Sequence, residues 1–419
     1  MADLFERRGS KYSGRIVPAM LEMSGYNAWF LSAMQPNSPS WRTGRRSLDR
    51  RLRPKALIQY QPTIEKKARE FVKRLLVEPD DFVKHIQLLA GGSIMAIAYG
   101  QNVQNEDDEL LQSARAALNS AAVALMPGGL LINDLPFLRH IPAWVPYLSY
   151  RPIARDAYKA GQISLYRPWN TVKDELVKGT AQQSVAREEL LEHQPFNPGD
   201  EFNIAGAIST MFAETFFLML ALYPDVQARA QAELDAITGG ERLPSFTDRP
   251  ALPYIEAVCK EILRWKVAVP IGVPHATSED DIFDGYFIPK GTLVIANAWS
   301  ILHDPVVYPD PEIFNPERFL TDDGQFKDDL GLTVAFGGGK RICPGRFVVE
   351  DTLFISTATV LSLCTVGKKG DSKYGPLDRN EHTGSGLACS PQPFLCTIVP
   401  RSKKAAEMVM SAAMEASDQ

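Results

Sequence analysis

The chain has 419 residues, 45% hydrophobic and 23% charged, with a net charge of -5. That is the composition of a folded globular protein, and it lacks the basic excess of a general nucleic-acid binder. The length suits two or three ordinary domains or one large one. The five cysteines, Cys259, Cys343, Cys364, Cys389 and Cys396, form no CxxC pair and no Cys/His cluster at zinc spacing. This speaks against a disulfide framework and a structural zinc site.

The opening "MADLFERRGSKYSGR" has no apolar run, so neither a signal peptide nor an N-terminal membrane anchor is expected, and an intracellular, reducing compartment is the default. "WRTGRR" (41 to 46) reads by itself as a basic surface helix. The stretches 65 to 76, 109 to 125 and 224 to 237 carry apolar residues at helical spacing. Between them, 129 to 155 is rich in proline and aromatics and reads as a long ordered loop.

"FNIAGAISTMFAETFFLMLAL" (202 to 222) is long enough to cross a bilayer, which takes about 20 mostly apolar residues. Asn203, Ser209, Thr210, Glu214 and Thr215 interrupt it, and an acid at mid-membrane depth is costly. A buried central helix is therefore the expectation. From Val267 to Val294 the pattern changes to short strands punctuated by Gly285, Pro289 and Gly291. No repeat or linker divides the chain, so a single domain over 1 to 419, mainly α with a minor sheet at about 267 to 295, is expected.

"AFGGGKRICPGR" (335 to 346) poses the chemical question. Its glycines let a backbone approach a flat, bulky partner, and Cys343 stands just before a segment of helical length. The helix N-terminus, with Arg341 and Arg346, favours a thiolate there, and a thiolate is a good iron ligand. A phosphate loop fails, because GxxxxGK[ST] would need glycine at Val334 and a hydroxyl at Arg341. A nucleophile paired with a distant histidine and an inert loop cysteine both stay open on these residues.

The same stretch resembles the haem-binding loop of the cytochrome P450 family, FxxGxxxCxG, at Phe336, Gly339, Cys343 and Gly345. "KEILR" resembles the family's ExxR with Glu261 and Arg264, "NPERF" supplies Arg318, and "WRTGRR" resembles its WxxxR helix with Trp41 and Arg45. His275 in "GVPHATSED" stands where relatives place a propionate-binding His or Arg. Similarity runs from near residue 3 to near residue 400, in the fungal style of the family.

The resemblance implies the cytochrome P450 fold, a haem whose iron is held by Cys343, and propionates met by Trp41, Arg45, His275 and Arg341. Phe336 then packs near the sulfur, and Glu261, Arg264 and Arg318 form a buried ion network. The helical pattern says otherwise for that network. Its apolar stripe, Ile255, Val258, Cys259, Ile262 and Leu263, puts Glu261 and Arg264 on the opposite, solvent-facing side, and the resemblance reverses that reading, so that another layer must cover the polar face.

The activity implied is insertion of one oxygen atom from O2 into a lipophilic secondary metabolite or xenobiotic. Electrons come from NADPH through cytochrome P450 reductase, with cytochrome b5 as a further donor. The implied seat is the endoplasmic reticulum membrane, through peripheral contact, because the family's N-terminal anchor has no counterpart in this sequence. Substrate walls are implied at Val267 to Val273 and at a C-terminal hairpin (about 385 to 400) near Pro393 and Phe394.

The central helix departs from the family. Relatives carry an A/G-G-x-D/E-T-T/S segment that relays protons, whereas this chain passes from Met211-Phe212-Ala213 straight to Glu214-Thr215-Phe216. A shortening of about ten residues, ~15 Å of helix, is expected. Glu214 and Thr215 imitate the acid and threonine but stand nearly two turns too close to Pro224. In "AGAIST" (205 to 210), Ile208 occupies the acid's place and Ser209 the threonine's. A haem-binding but catalytically impaired form is the second reading, and a haem-free membrane or binding protein the third.

Overall fold

The computed structural model describes residues 1–126, 128–145, 149–192, 199–370, 382–384 and 387–408. Its longer helices are α1 (Pro39–Arg51), α2 (Gln61–Val77), α3 (Phe82–Tyr99), α4 (Glu109–Leu125), α5 (Arg151–Lys178), α6 (Gly199–Leu222), α7 (Pro224–Thr238), α8 (Pro253–Trp265) and α9 (Arg346–Leu363). The three periodic stretches of the sequence thus fall on α2, α4 and α7. Ser38 caps α1, its hydroxyl accepting from the Trp41 amide at 3.2 Å, with Pro39 in the first turn.

Helices α3 and α6 are both long and apolar enough to cross a membrane by length and composition, yet about 72% of each apolar window is buried inside the protein. They pack on each other, α3 also on α2 and α6 also on α9. On α6, Phe212, Phe217, Met219 and Leu220 have no exposed surface. Phe217 meets Phe71 of α2 at 6.1 Å and Phe82 of α3 at 5.4 Å between ring centres, and Phe82 meets Phe394 at 5.3 Å. Each such buried ring contributes on the order of 1.5–3 kcal/mol, so α6 is the axis of the core.

The β structure is sparse. Strands β1 (His275–Ala276) and β4 (Leu293–Val294) pair antiparallel, as do β2 (Asp281–Phe283) and β3 (Tyr286–Ile288). Asp284 and Gly285 turn the second pair with φ of 51° and 80°, the left-handed pair that a two-residue hairpin needs. A bridge from Gly14 to Ala276 ties the N-terminal segment to β1.

Two expectations need correction. Residues 129 to 155 are not one loop: Leu131–Asp134 and Pro136–His140 form helical turns, and α5 begins at Arg151, with Pro152 in its first turn. At the C-terminus, β7 (Cys389–Pro391) pairs with β6 (His382–Gly384), and β8 (Cys396–Pro400) with β5 (Cys364–Lys368). The two late strands therefore find separate partners instead of each other, because strand pairing follows long-range register that local pattern does not carry. Residues 385 and 386 of that expected hairpin lie outside the described residues.

Candidate functional site

The Cys343 loop is built for close approach. After a 3₁₀ turn ending at Phe336, Gly337 takes φ 86° and Gly339 φ 58°, conformations that favour glycine. The Cys343 amide donates to the Phe336 carbonyl at 2.9 Å, closing the loop, and Arg346 opens α9 three residues later. Gly345 has a steric duty as well. A β-carbon there would lie 2.7 Å from the Ala205 methyl, so the loop rests directly on α6.

This loop forms one wall of a partly open cleft. Cys343, Phe336 and Arg341 line it from the loop, Trp41 and Arg45 from α1, and His275 from β1. Apolar walls come from Leu31, Ile204, Ile208, Val269 and Val334. The expected cofactor-binding residues are thus gathered around one space. Gly345 is not among the residues that line that space, although a β-carbon on it would lie 3.8 Å from the Cys343 sulfur.

Arg15, which nothing in the local pattern of "YSGR" singles out, also lines the cleft. It is 7% exposed and donates to the carbonyls of Ser32 (2.9 Å), Val273 and Pro274 (both 2.7 Å). Only the fold could reveal it, since two of those carbonyls are more than 250 residues away in sequence. Arg341 donates to the Ser13 and Leu31 carbonyls at 2.9 and 3.3 Å, and its guanidinium lies 4.8 Å over the Trp41 ring. Arg45 reaches the Ile342 carbonyl and Asp49. His275 donates from Nδ1 to the Tyr12 carbonyl at 2.7 Å, and burial, aided by Arg15 and Arg341, lowers its pKa to about 3.

Glu261 and Arg264 have no exposed surface. Arg264 grips the carboxylate from Nε and Nη2 at 2.6 and 2.8 Å and also donates to the Leu302 and Pro311 carbonyls. Arg318 joins from Nε at 3.2 Å, and the Asn315 amide at 2.9 Å. The pair is buried, as the resemblance implies and against what the helical pattern alone suggests: the segment from Leu302 to Arg318 covers the polar face of α8 and supplies the partners that a buried charge requires.

Glu214 and Thr215 stand apart from the cleft-lining residues. Thr215 donates to the Met211 carbonyl of its own helix at 3.0 Å. Glu214 is largely buried, which pushes its pKa up to about 7, opposed only by a hydrogen bond with Ser390. What α6 presents to the cleft is Ile204 and Ile208.

A family model for cytochrome P450 matches residues 187–397. The chain is 37% identical over 430 positions to cytochrome P450 monooxygenase COX2 of Coprinopsis cinerea, covering 98% of this chain and 80% of that one. The chain belongs to the cytochrome P450 family. It is likewise 36% identical to the cytochrome P450 monooxygenase eriA of Hericium erinaceus, over 99% of this chain and 81% of the relative. It is 34% identical to tryptamine 4-monooxygenase of Psilocybe cyanescens, over 96% and 82%. The match to COX2 runs over more positions than the 419 residues of this P450, so that relative carries residues this chain does not.

A P450 uses haem, and the donor set here fits it. One wall offers a soft sulfur for iron, and the surround offers Arg15, Arg45 and Arg341 for two carboxylates. No carboxylate lines the cleft among the described residues, so nothing there repels the propionates. The remaining walls are apolar, as a porphyrin face requires.

Proposed function

We propose that this protein is a haem-thiolate monooxygenase that inserts one oxygen atom from O2 into a lipophilic small molecule. The observation that carries the reading is the Cys343 thiol set in an apolar cleft with three guanidiniums and no acid. Bound haem supplies oxygen activation, which thiolate ligation favours by donating electron density. The overall change consumes O2, two electrons and two protons for each C–H bond converted to C–OH, with one water released.

The protein's part is to hold and shield. Cys343 would hold the haem iron through its sulfur, and the Phe336 carbonyl pins its amide. Arg15, Arg45, His275, Arg341 and Trp41 would hold the propionates. Ile204 and Ile208 keep water from the reacting face, and Leu31, Val269 and Val273 provide apolar walls that select lipophilic substrates. Electrons come from NADPH through a cytochrome P450 reductase, with cytochrome b5 as a further donor. An intracellular setting with peripheral contact to the endoplasmic reticulum membrane accords with those partners.

One observation favours a second reading. The α6 surface at the cleft carries Ile204 and Ile208, while Glu214 and Thr215 lie outside it. Without a side-chain relay on this helix, protons must come through solvent or substrate, and turnover coupled to NADPH is slow. Reconstitution with haem and a reductase tests both readings. A red-shifted carbon monoxide band with product formation supports the first, and the band without product supports the second.

A further inference from the structure

The Tyr12 carbonyl that bonds to His275 can only accept, so Nδ1 carries the proton. In a neutral ring this leaves Nε2 as the lone pair of a ring that lines the cleft. Burial and two neighbouring guanidiniums keep the ring neutral in the protein alone. A carboxylate arriving at that lone pair meets repulsion in place of a hydrogen bond.

The ring is not well placed to turn over and present Nδ1. Phe5 packs on it with ring centres 4.3 Å apart. Tyr12 is anchored through its hydroxyl to Asp281 at 3.0 Å, and Asp281 also accepts from Arg8 and Lys11 at 2.7 and 3.0 Å. The charged groups that act on the ring are Arg15 from the N-terminal segment and Arg341 from the loop, while Arg45, Cys343 and the N-terminal Met1 line the same cleft.

We propose that His275 takes up a proton as the cofactor's carboxylates enter the cleft and binds one of them as an imidazolium, through Nε2–H. The proposal rests on the haem reading above. The proton comes from solvent and adds to Nε2, while the carboxylates stay ionised. An opposite charge within about 4–6 Å favours the charged ring. The same carboxylates also offset the Arg15 and Arg341 charges that disfavour it. Because the ring's pKa is low before binding and raised after it, its contribution to affinity is greatest at low pH. It declines about tenfold per pH unit up to the raised pKa.

The test is titration with ferric protoporphyrin between pH 5 and 7, for the wild-type protein and for His275→Arg, whose charge is present in both states. The ratio of wild-type to variant affinity should fall about tenfold per pH unit, and calorimetry in two buffers at pH 6 should count one more proton taken up by the wild type. Comparing the two proteins cancels the proton that Cys343 releases. Equal slopes and equal counts overturn the proposal.

If the arginine variant fails to fold, His275→Gln serves in its place. Nitrogen-15 NMR of the wild type with zinc protoporphyrin reads the ring directly: two protonated nitrogens support the proposal, and one overturns it. A folded protein that binds no porphyrin at all contradicts the haem reading itself, a result distinct from binding without proton uptake.

Discussion

Gly345 and Ala205 bring the cysteine loop and the central helix into direct contact, with room for a hydrogen and not for a methyl. Gly345→Ala forces a shift of one backbone against the other, which typically costs about 1–3 kcal/mol in a packed interior. Thermal unfolding should show that loss together with weaker haem retention. Ala205→Gly in the same chain should restore both, and no rescue would mean that the contact is not what limits the site.

The Glu261–Arg264 pair predicts a larger effect. Arg264→Ala leaves a carboxylate buried without its main partner, a defect that typically costs about 3–5 kcal/mol. Arg318→Ala should cost less, because the Glu261 carboxylate keeps both Arg264 bonds and the Asn315 amide. Urea unfolding of the two variants would establish the order, and equal losses would contradict it.

Glu214 gives stability an opposite dependence on pH. Its folded pKa of about 7 lies above the ordinary value, so the folded state holds its proton more tightly than the unfolded chain does. Stability therefore declines as pH rises from about 4.5 to 7, by on the order of 3 kcal/mol from this group. Glu214→Gln should remove that decline, as followed by unfolding midpoints at pH 5 and pH 8. Its effect on substrate oxidation should be small, since the residue stands outside the cleft lining.

Asp281 works in the usual direction. Hydrogen bonds from Arg8, Lys11 and Tyr12 hold its carboxyl well below the ordinary range. The stability it adds is complete above about pH 4 and is lost as pH falls toward the folded pKa. Asp281→Asn should weaken the protein at neutral pH and loosen the N-terminal segment, read by faster hydrogen exchange at Tyr12 and Ser13. Unchanged exchange would contradict the anchoring role.

Much of this was legible in the sequence, for identifiable reasons. The helices at 65 to 76, 109 to 125 and 224 to 237 follow from apolar periodicity, and the polar interruptions in α6 pointed to a core position. Periodicity misjudged Glu261 and Arg264, because the residues that cover them lie 38 to 57 positions away and one helix cannot announce its neighbours. Arg15 was hidden for the same reason, two of its three carbonyl partners, Val273 and Pro274, belonging to the segment before β1. Which strands pair at the C-terminus depended on register, which short apolar runs do not specify.

The most direct measurement is the reduced, carbon monoxide-bound spectrum of the haem-reconstituted protein beside Cys343→Ser. Thiolate ligation by Cys343 predicts the family's red-shifted band in the wild type and its loss in the variant, with the fold kept by circular dichroism. A folded wild-type protein without that band, or a serine variant that retains it, would contradict the assignment of Cys343.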